Sequence, residues 1–246
     1  MRISDWEGGL KPTLRLHSGR GRGRERSMNR LEFSFCGALL SARPSGALWY
    51  AAESLLCVSD LHLGKSERIA RRSGLMLPPY ETRATLDRLA SDIAMLAPRV
   101  VVCLGDSFDD LAAAETLDPE DQASLLRLQA GRRWIWIAGN HDPAPVELGG
   151  AHVAMHRAGP LVFRHEASVA AEAEVSGHYH PKLSLPGLGR ARPCFLLDRC
   201  RLILPAYGAY TGGLSVTAPV LQALMPGRAD VIVTGPRPMR LPMPKV

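Results

Sequence analysis

The chain has 246 residues, 46% hydrophobic and 22% charged, a composition that supports one well-filled core and excludes disorder of the bulk. Its formal net charge of +6 is unevenly spread: residues 1–30 carry +5 and residues 227–246 carry +3, so the body between them sits at −2. A basic tail adds salt-sensitive affinity for phosphate, but a body of this charge supplies no nucleic-acid face by itself.

In chain order, residues 1–28 read as a flexible basic segment. The stretch His-Ser-Gly-Arg-Gly-Arg-Gly-Arg-Glu-Arg at 17–26 is too polar and glycine-rich to offset its ordering entropy by burial. Arg-Gly runs can follow a nucleic-acid backbone, but Met28 stands just before the first strand-like run, and the expectation favoured is that residues 1–27 stem from a start codon placed too far upstream. Residues 29–226 then read as a single domain, because no Ser/Pro/Gly-rich stretch separates two cores. Residues 227–246 read as a basic, Pro-rich C-terminal tail.

Leu31, Phe33 and Phe35 alternate with Glu32 and Ser34, the pattern of a half-buried strand, and Leu48-Trp49-Tyr50 resembles its hairpin partner. Three short apolar runs follow, each releasing polar residues at its end: Leu55–Val58 into Ser59-Asp60, Val100–Leu104 into Gly105-Asp106, and Trp134–Ala138 into Gly139-Asn140-His141-Asp142. Helices lie between them. Leu86, Leu89, Ile93 and Leu96 form one stripe across residues 81–97, while Asp118-Pro119 opens a helix that Gly131 stops. Alternating strands and helices imply a parallel sheet, whose carboxyl ends gather separated residues into one crevice. Beyond Asp142 the texture is all-β: runs at 152–156 and 161–165, and a hairpin over 194–204 turning at Asp198-Arg199. The fold expected is α/β, with two sheets in a sandwich flanked by helices.

Cysteines at 36, 57, 103, 194 and 200 are odd in number and lack metal-knuckle spacing, which favours reduced thiols. No run of about 18 uncharged apolar residues occurs, nor a signal-like N-terminus. A cytoplasmic protein without a membrane segment is expected.

Four clusters carry chemistry: Asp60-Leu-His62, Gly105-Asp106-Ser-Phe-Asp109, Gly139-Asn140-His141-Asp142 and Gly177-His178-Tyr-His180. The two imidazoles of the last share one face of an extended strand, where they can serve adjacent metal ions. Carboxylate and imidazole without thiolate suit Mn²⁺, Fe or Zn²⁺.

In this order, the motifs DLH, GDSFD, GNHD and GHYH resemble the calcineurin-like metallophosphoesterases. More narrowly, SDLHLGKSERIARRSG, LPPYETRATLDRL and LPAYGAYTGGL are similar to the bacterial ligase-associated DNA damage response endonucleases. The resemblance implies a two-metal site. Asp60, His62 and His180 would hold one divalent ion, Asn140, His165 and His178 the other, and Asp106 would bridge them. By position His152, His156 and His165 all qualify as the histidine between GNHD and GHYH; Arg164-His165-Glu166 fits the family's turn, although Ala167 stands where a proline is usual. His141 would face substrate, and Asp109 would hold its ring, with loop capping as the alternative for Asp109.

Two divalent ions, Mn²⁺ in the first place and Fe, Zn²⁺ or Mg²⁺ otherwise, would yield a bridging hydroxide as nucleophile at neutral pH. The function implied is a phosphodiester hydrolase, a DNA endonuclease working in repair beside a DNA ligase and a helicase. A phosphatase or phosphodiesterase for nucleotides or other small phosphoesters is the alternative, and a non-catalytic repair scaffold a third reading. The protein-phosphatase branch is disfavoured, because Asp110 and Asp142 stand where it has arginine and glutamate. Lys65, Arg68, Arg71 and Arg72 either meet substrate phosphates or form an exposed helix face. Tyr207 and Tyr210 either stack on a base or pack a turn.

Overall fold

The computed structural model describes residues 30–74, 80–141, 148–168, 171–184 and 189–245. The Arg-Gly segment, Met28 and Asp142 lie outside the described residues, as do the side chains of Arg71 and Arg72.

The first sheet has the order β1 (Leu31–Phe35), β2 (Ala38–Ala42), β3 (Leu48–Tyr50), β4 (Leu55–Val58), β5 (Val100–Cys103), β6 (Arg133–Ile137) and β7 (Ala151–Val153). β1 to β4 are antiparallel, and β4 to β7 are parallel. The hairpin partner of β1 is therefore β2, which corrects the expected pairing with Leu48–Tyr50. Phe35 pairs with Ala38 across a loop of Cys36 and Gly37, whose φ angles of 46° and 82° are both left-handed. That is the geometry whose twist suits a two-residue hairpin, with glycine as its sequence signal.

The crossovers carry α1 (Lys65–Ser73) and α2 (Tyr80–Leu96) between β4 and β5, then α3 (Leu111–Glu115) and α4 (Pro119–Gln129) between β5 and β6. The Asp118 carboxylate caps α4 by accepting from the Glu120 N–H, with Pro119 in the first turn, where its missing donor costs nothing.

The second sheet begins with β8 (His156–Ala158), β9 (Leu161–Phe163) and β10 (Glu174–Ser176). It continues through β11 (Lys182–Leu183), β12 (Arg192–Leu197), β13 (Arg201–Ile203), β14 (Asp230–Val233) and β15 (Met239–Pro242), with α5 (Pro219–Leu224) between β13 and β14. Its order is β15-β14-β12-β13-β10-β9-β8, with β11 added to β12. The run at 152–156, expected as one strand, is split. β7 closes the edge of the first sheet, and after Ala154 and Met155 the chain enters β8 at the edge of the second.

Side-chain alternation assigns each strand's two faces. Leu55, Cys57, Val102, Leu104, Ile135 and Ile137 meet Phe163, Val175, Phe195, Leu202 and Ile232 between the sheets. Leu56, Val58, Val101, Cys103, Trp134 and Trp136 meet Leu86, Leu89, Ile93 and Leu125 under the helices. Strands buried on both faces must be apolar throughout, which is why β4, β5 and β6 are continuous apolar runs. Cys194, Leu196, Ile203, Val231 and Val233 pack with Leu221 and Met225 of α5 on the far side. The described cysteines are all free thiols. Among the described residues, no helix is long and apolar enough to cross a membrane.

Residues 227–245, expected as a tail outside the domain, instead supply two strands. β14 pairs antiparallel with β12 in register Leu196–Val231, and β15 pairs with β14. The basic residues that suggested a tail flank a buried Val231-Ile232-Val233 run, and Arg240 forms an ion pair with Asp230 inside the hairpin. Ile232→Ala should therefore cost about 2–5 kcal/mol of unfolding free energy, since it leaves a cavity between the sheets. Urea denaturation measures this, and unchanged stability would return the segment to the status of a tail.

Candidate metal centre

The parallel register of β4 and β5 continues past the ends of both strands. The N–H of Asp60 donates to Gly105 O (3.3 Å), that of His62 to Asp106 O (3.0 Å) and that of Leu63 to Ser107 O (2.9 Å). These bonds lock the first two chemical clusters side by side. The second sheet brings the rest: His165 follows β9, and the Gly177 N–H after β10 donates to its carbonyl (2.8 Å).

Two glycines mark where the sheets meet. A Cβ on Gly177 would lie 1.7 Å from Ser59 Oγ and 2.6 Å from Asp60 Oδ2, and one on Gly105 would lie 2.6 Å from His165 Nδ1. Only glycine allows this approach. Asp60, His62, Asp106, His178 and His180 all have φ between 45° and 70°, a left-handed conformation costing about 1–3 kcal/mol per residue that surrounding structure must hold.

The donors fall into two groups. Asp60, His62 and His180 form one, and Asp106, His165 and His178 the other, with candidate ligand atoms in each group within 4.8 Å of one another. In the first, His180 Nε2 lies 3.2 Å from Asp60 Oδ1 and 3.4 Å from His62 Nε2. In the second, His165 Nε2 lies 3.4 Å from Asp106 Oδ2 and 3.1 Å from His178 Nδ1. The groups share a wall, since the His178 N–H donates to Asp60 Oδ2 at 3.0 Å. Of the three candidate histidines, only His165 stands here. His152 stacks on Trp136, and His156 lies against Phe163, where burial and the charge of Arg133 push its imidazole down.

Further contacts aim the donors. His165 Nδ1 is held by Leu104 O at 2.7 Å and His62 Nδ1 by Asp109 Oδ1 at 2.9 Å, which turns each Nε2 toward its group. Such contacts fix tautomer and ring orientation. The Ser59 hydroxyl donates to Asp60. Ser59 and the Leu104 carbonyl were not foreseen, because neither a lone serine nor a main-chain carbonyl leaves a motif.

Asp109 corrects an expectation. Its carboxylate binds His62 and Arg68, while its main-chain carbonyl, 2.9 Å from His141 Nδ1, orients that ring. Asp109 is thus a positioning residue for the first donor group, and Arg68 serves it rather than an open helix face. His141 is exposed and its N–H donates to Asp106 Oδ1 at 2.9 Å, with the ring edge-on to His62. Asn140 is exposed at the end of β6. Its chain neighbour His141 ties it to the second group through the N–H that Asp106 accepts.

Burial pushes the Asp106 carboxyl up, but the His165 hydrogen bond and charge, with the His141 N–H, hold it well below the usual carboxylate range. Burial likewise opposes charge on His165. The hydrogen bond to Asp106, the charges of Asp60 and Asp106 and the Leu104 carbonyl outweigh it and push the imidazole up to about 9. Asp109, raised by burial, is brought below its ordinary value by His62 and Arg68. The Asp106 and Asp109 carboxylates are therefore held as anions, and buried anions require nearby positive charge. Oxygen and imidazole donors, buried and pre-aimed, fit hard to borderline divalent ions. Asp109→Asn should weaken Mn²⁺ binding about 10–100-fold while the protein stays folded, as expected for loss of a contact that orients a ligand. A calorimetric titration checks it, and unchanged affinity would deny Asp109 this role.

Residues 54–186 match the family model for calcineurin-like phosphoesterases, a span running from β4 through His180. The crystal structure of Pseudomonas putida nuclease MPE superposes with a TM-score of 0.69 at 25% identity, covering 86% of this chain and 100% of that one. No curated protein sequence matches the chain. With the family pattern lying on strands and loops that converge on two acid–imidazole groups, the chain belongs to the calcineurin-like phosphoesterase family and is a metal-dependent phosphoesterase.

Proposed function

We propose that the protein is a two-metal phosphodiester hydrolase that cuts DNA internally, with manganese as its metal and DNA repair as its setting. One observation carries the reading: two carboxylate–imidazole triads share a wall beneath the exposed ring of His141. The nuclease among similar structures supports a nucleic-acid substrate. The narrower sequence resemblance supports the ligase and helicase partners, and the free thiols support a cytoplasmic location.

Asp60, His62 and His180 would hold one ion, and His165, His178 and Asn140 the other, with Asp106 between them. When bound, such a pair supplies a water ionised near neutral pH and neutralises charge on the phosphoryl oxygens. The chain's own contribution is position. The Asp109 carbonyl accepts from His141 Nδ1, which leaves Nε2 outside that contact, an acceptor in the neutral ring and a donor to a phosphoryl or leaving-group oxygen when the ring is doubly protonated. A positioned proton donor of this kind contributes about 10²–10⁴-fold.

His141→Ala should therefore lower kcat by roughly 10²–10⁴-fold while Mn²⁺ stoichiometry is preserved, measured on bis-p-nitrophenyl phosphate and by titration. Loss of metal together with turnover would make His141 part of the metal cage instead. With wild-type protein, chelator should abolish cleavage and Mn²⁺ restore it. Closed circular DNA should be opened, as cutting within a strand requires. Hydrolysis confined to p-nitrophenyl phosphate would replace the nuclease reading with that of a small-substrate phosphatase.

A further inference from the structure

The two tyrosines of the loop after β13 have different fates. Tyr207 is fully buried, its hydroxyl donating to Asp92 at 2.9 Å, so it packs the turn. Tyr210 is 81% exposed, and its φ of 56° is unusual for a bulky residue. An apolar ring presented to water from a left-handed backbone requires a firmly held loop.

The loop is held, and by the metal centre. The Tyr207 N–H donates to Ser59 O (2.7 Å), the Gly208 N–H to Asp60 O (3.1 Å) and the Ala209 N–H to Thr85 Oγ1 (2.9 Å). At the far end, a Cβ on Gly213 would lie 2.3 Å from His180 O. The loop thus runs from one candidate ligand to another, and Tyr210 is two residues, at most about 7 Å of chain, from the contact with Asp60. Two ammonium groups hold the main chain that carries the ring. Lys65 Nζ donates to Tyr210 O (3.2 Å) and Lys182 Nζ to Thr211 O (2.9 Å). An ammonium has three donors, so each keeps others for phosphate oxygens.

We propose that Tyr210 is a nucleobase platform: its ring stacks on the base of a nucleotide flanking the phosphate at the metal centre, while Lys65 and Lys182 take that strand's phosphates. The proposal rests on the nucleic-acid reading above and adds the residue that recognises the flanking nucleotide. A flat exposed ring on a loop whose main chain binds two ammonium groups matches a base next to its phosphates, and stacking tolerates any base because each has a π-face. Arg68, committed to Asp109, is not part of this surface.

The test is steady-state cleavage, with Mn²⁺, of a DNA oligonucleotide and of a series carrying one abasic residue at successive positions around the cut. Tyr210→Ala should raise KM roughly 5–150-fold, the range given by loss of one base stack, with the larger change in KM than in kcat. Tyr210→Phe and Tyr210→Trp should keep the wild-type KM. One abasic position should reproduce the loss in the wild type and add nothing to Tyr210→Ala. The proposal is overturned by unchanged KM in Tyr210→Ala, by no abasic position mimicking the substitution, or by a parallel fall in turnover of methyl p-nitrophenyl phosphate, which marks a structural role. Wild-type protein that hydrolyses the small diester but no DNA overturns the proposal together with the reading beneath it.

Discussion

Three carboxylates, those of Asp60, Asp106 and Asp109, are buried in one junction, and the arrangement around them is dictated by their need for hydrogen-bond donors. Removing an ion from water costs several kcal/mol even after relaxation, so each acid is surrounded by donors. Asp60 receives the Ser59 hydroxyl and the His178 N–H, Asp106 the His141 N–H and the His165 ring, and Asp109 His62 and Arg68. These contacts come from both sheets and from α1. Correct packing of the sandwich and correct placement of the acids are therefore one condition.

The same junction concentrates unfavourable backbone. Five left-handed acids and histidines, and glycines that admit no methyl group, sit where the sheets touch. Such positions destabilise the fold locally and persist because the core over-determines them. The double burial of β4, β5 and β6 supplies that surplus, with Leu56, Val58, Val101 and Cys103 closed on one face and Leu55, Cys57 and Val102 on the other.

Much of this was legible in the sequence. Continuous apolar runs ending in Asp, Asn or Gly announced the parallel strands and the edge at which they release polar groups, and Gly-His-Tyr-His announced imidazoles for two adjacent groups, although His178 and His180 stand in left-handed backbone between β10 and β11 and not on one face of an extended strand. What escaped notice has physical reasons. Alternation tells which side a residue faces but not which sheet it joins, so His152 and His156 read as one strand. Summed charge hid β14, because Arg228, Arg237 and Arg240 outweigh three buried aliphatics that carry no charge at all. The Asp109 carboxylate could reach either of two histidines, and side-chain torsion, which no motif records, decided for His62. Composition likewise gave Tyr207 and Tyr210 equal standing until burial separated them.

The split between β7 and β8 has a wider meaning. Two residues couple the rim of one sheet to the rim of the other, so the sandwich is hinged covalently along that margin. The candidate ligands are shared across the gap, Asp60, His62 and Asp106 from the first leaf and His165, His178 and His180 from the second. Slippage between the leaves need not melt a helix or strand to disarm the enzyme; it would leave circular dichroism unaltered while parting each candidate donor group into two halves.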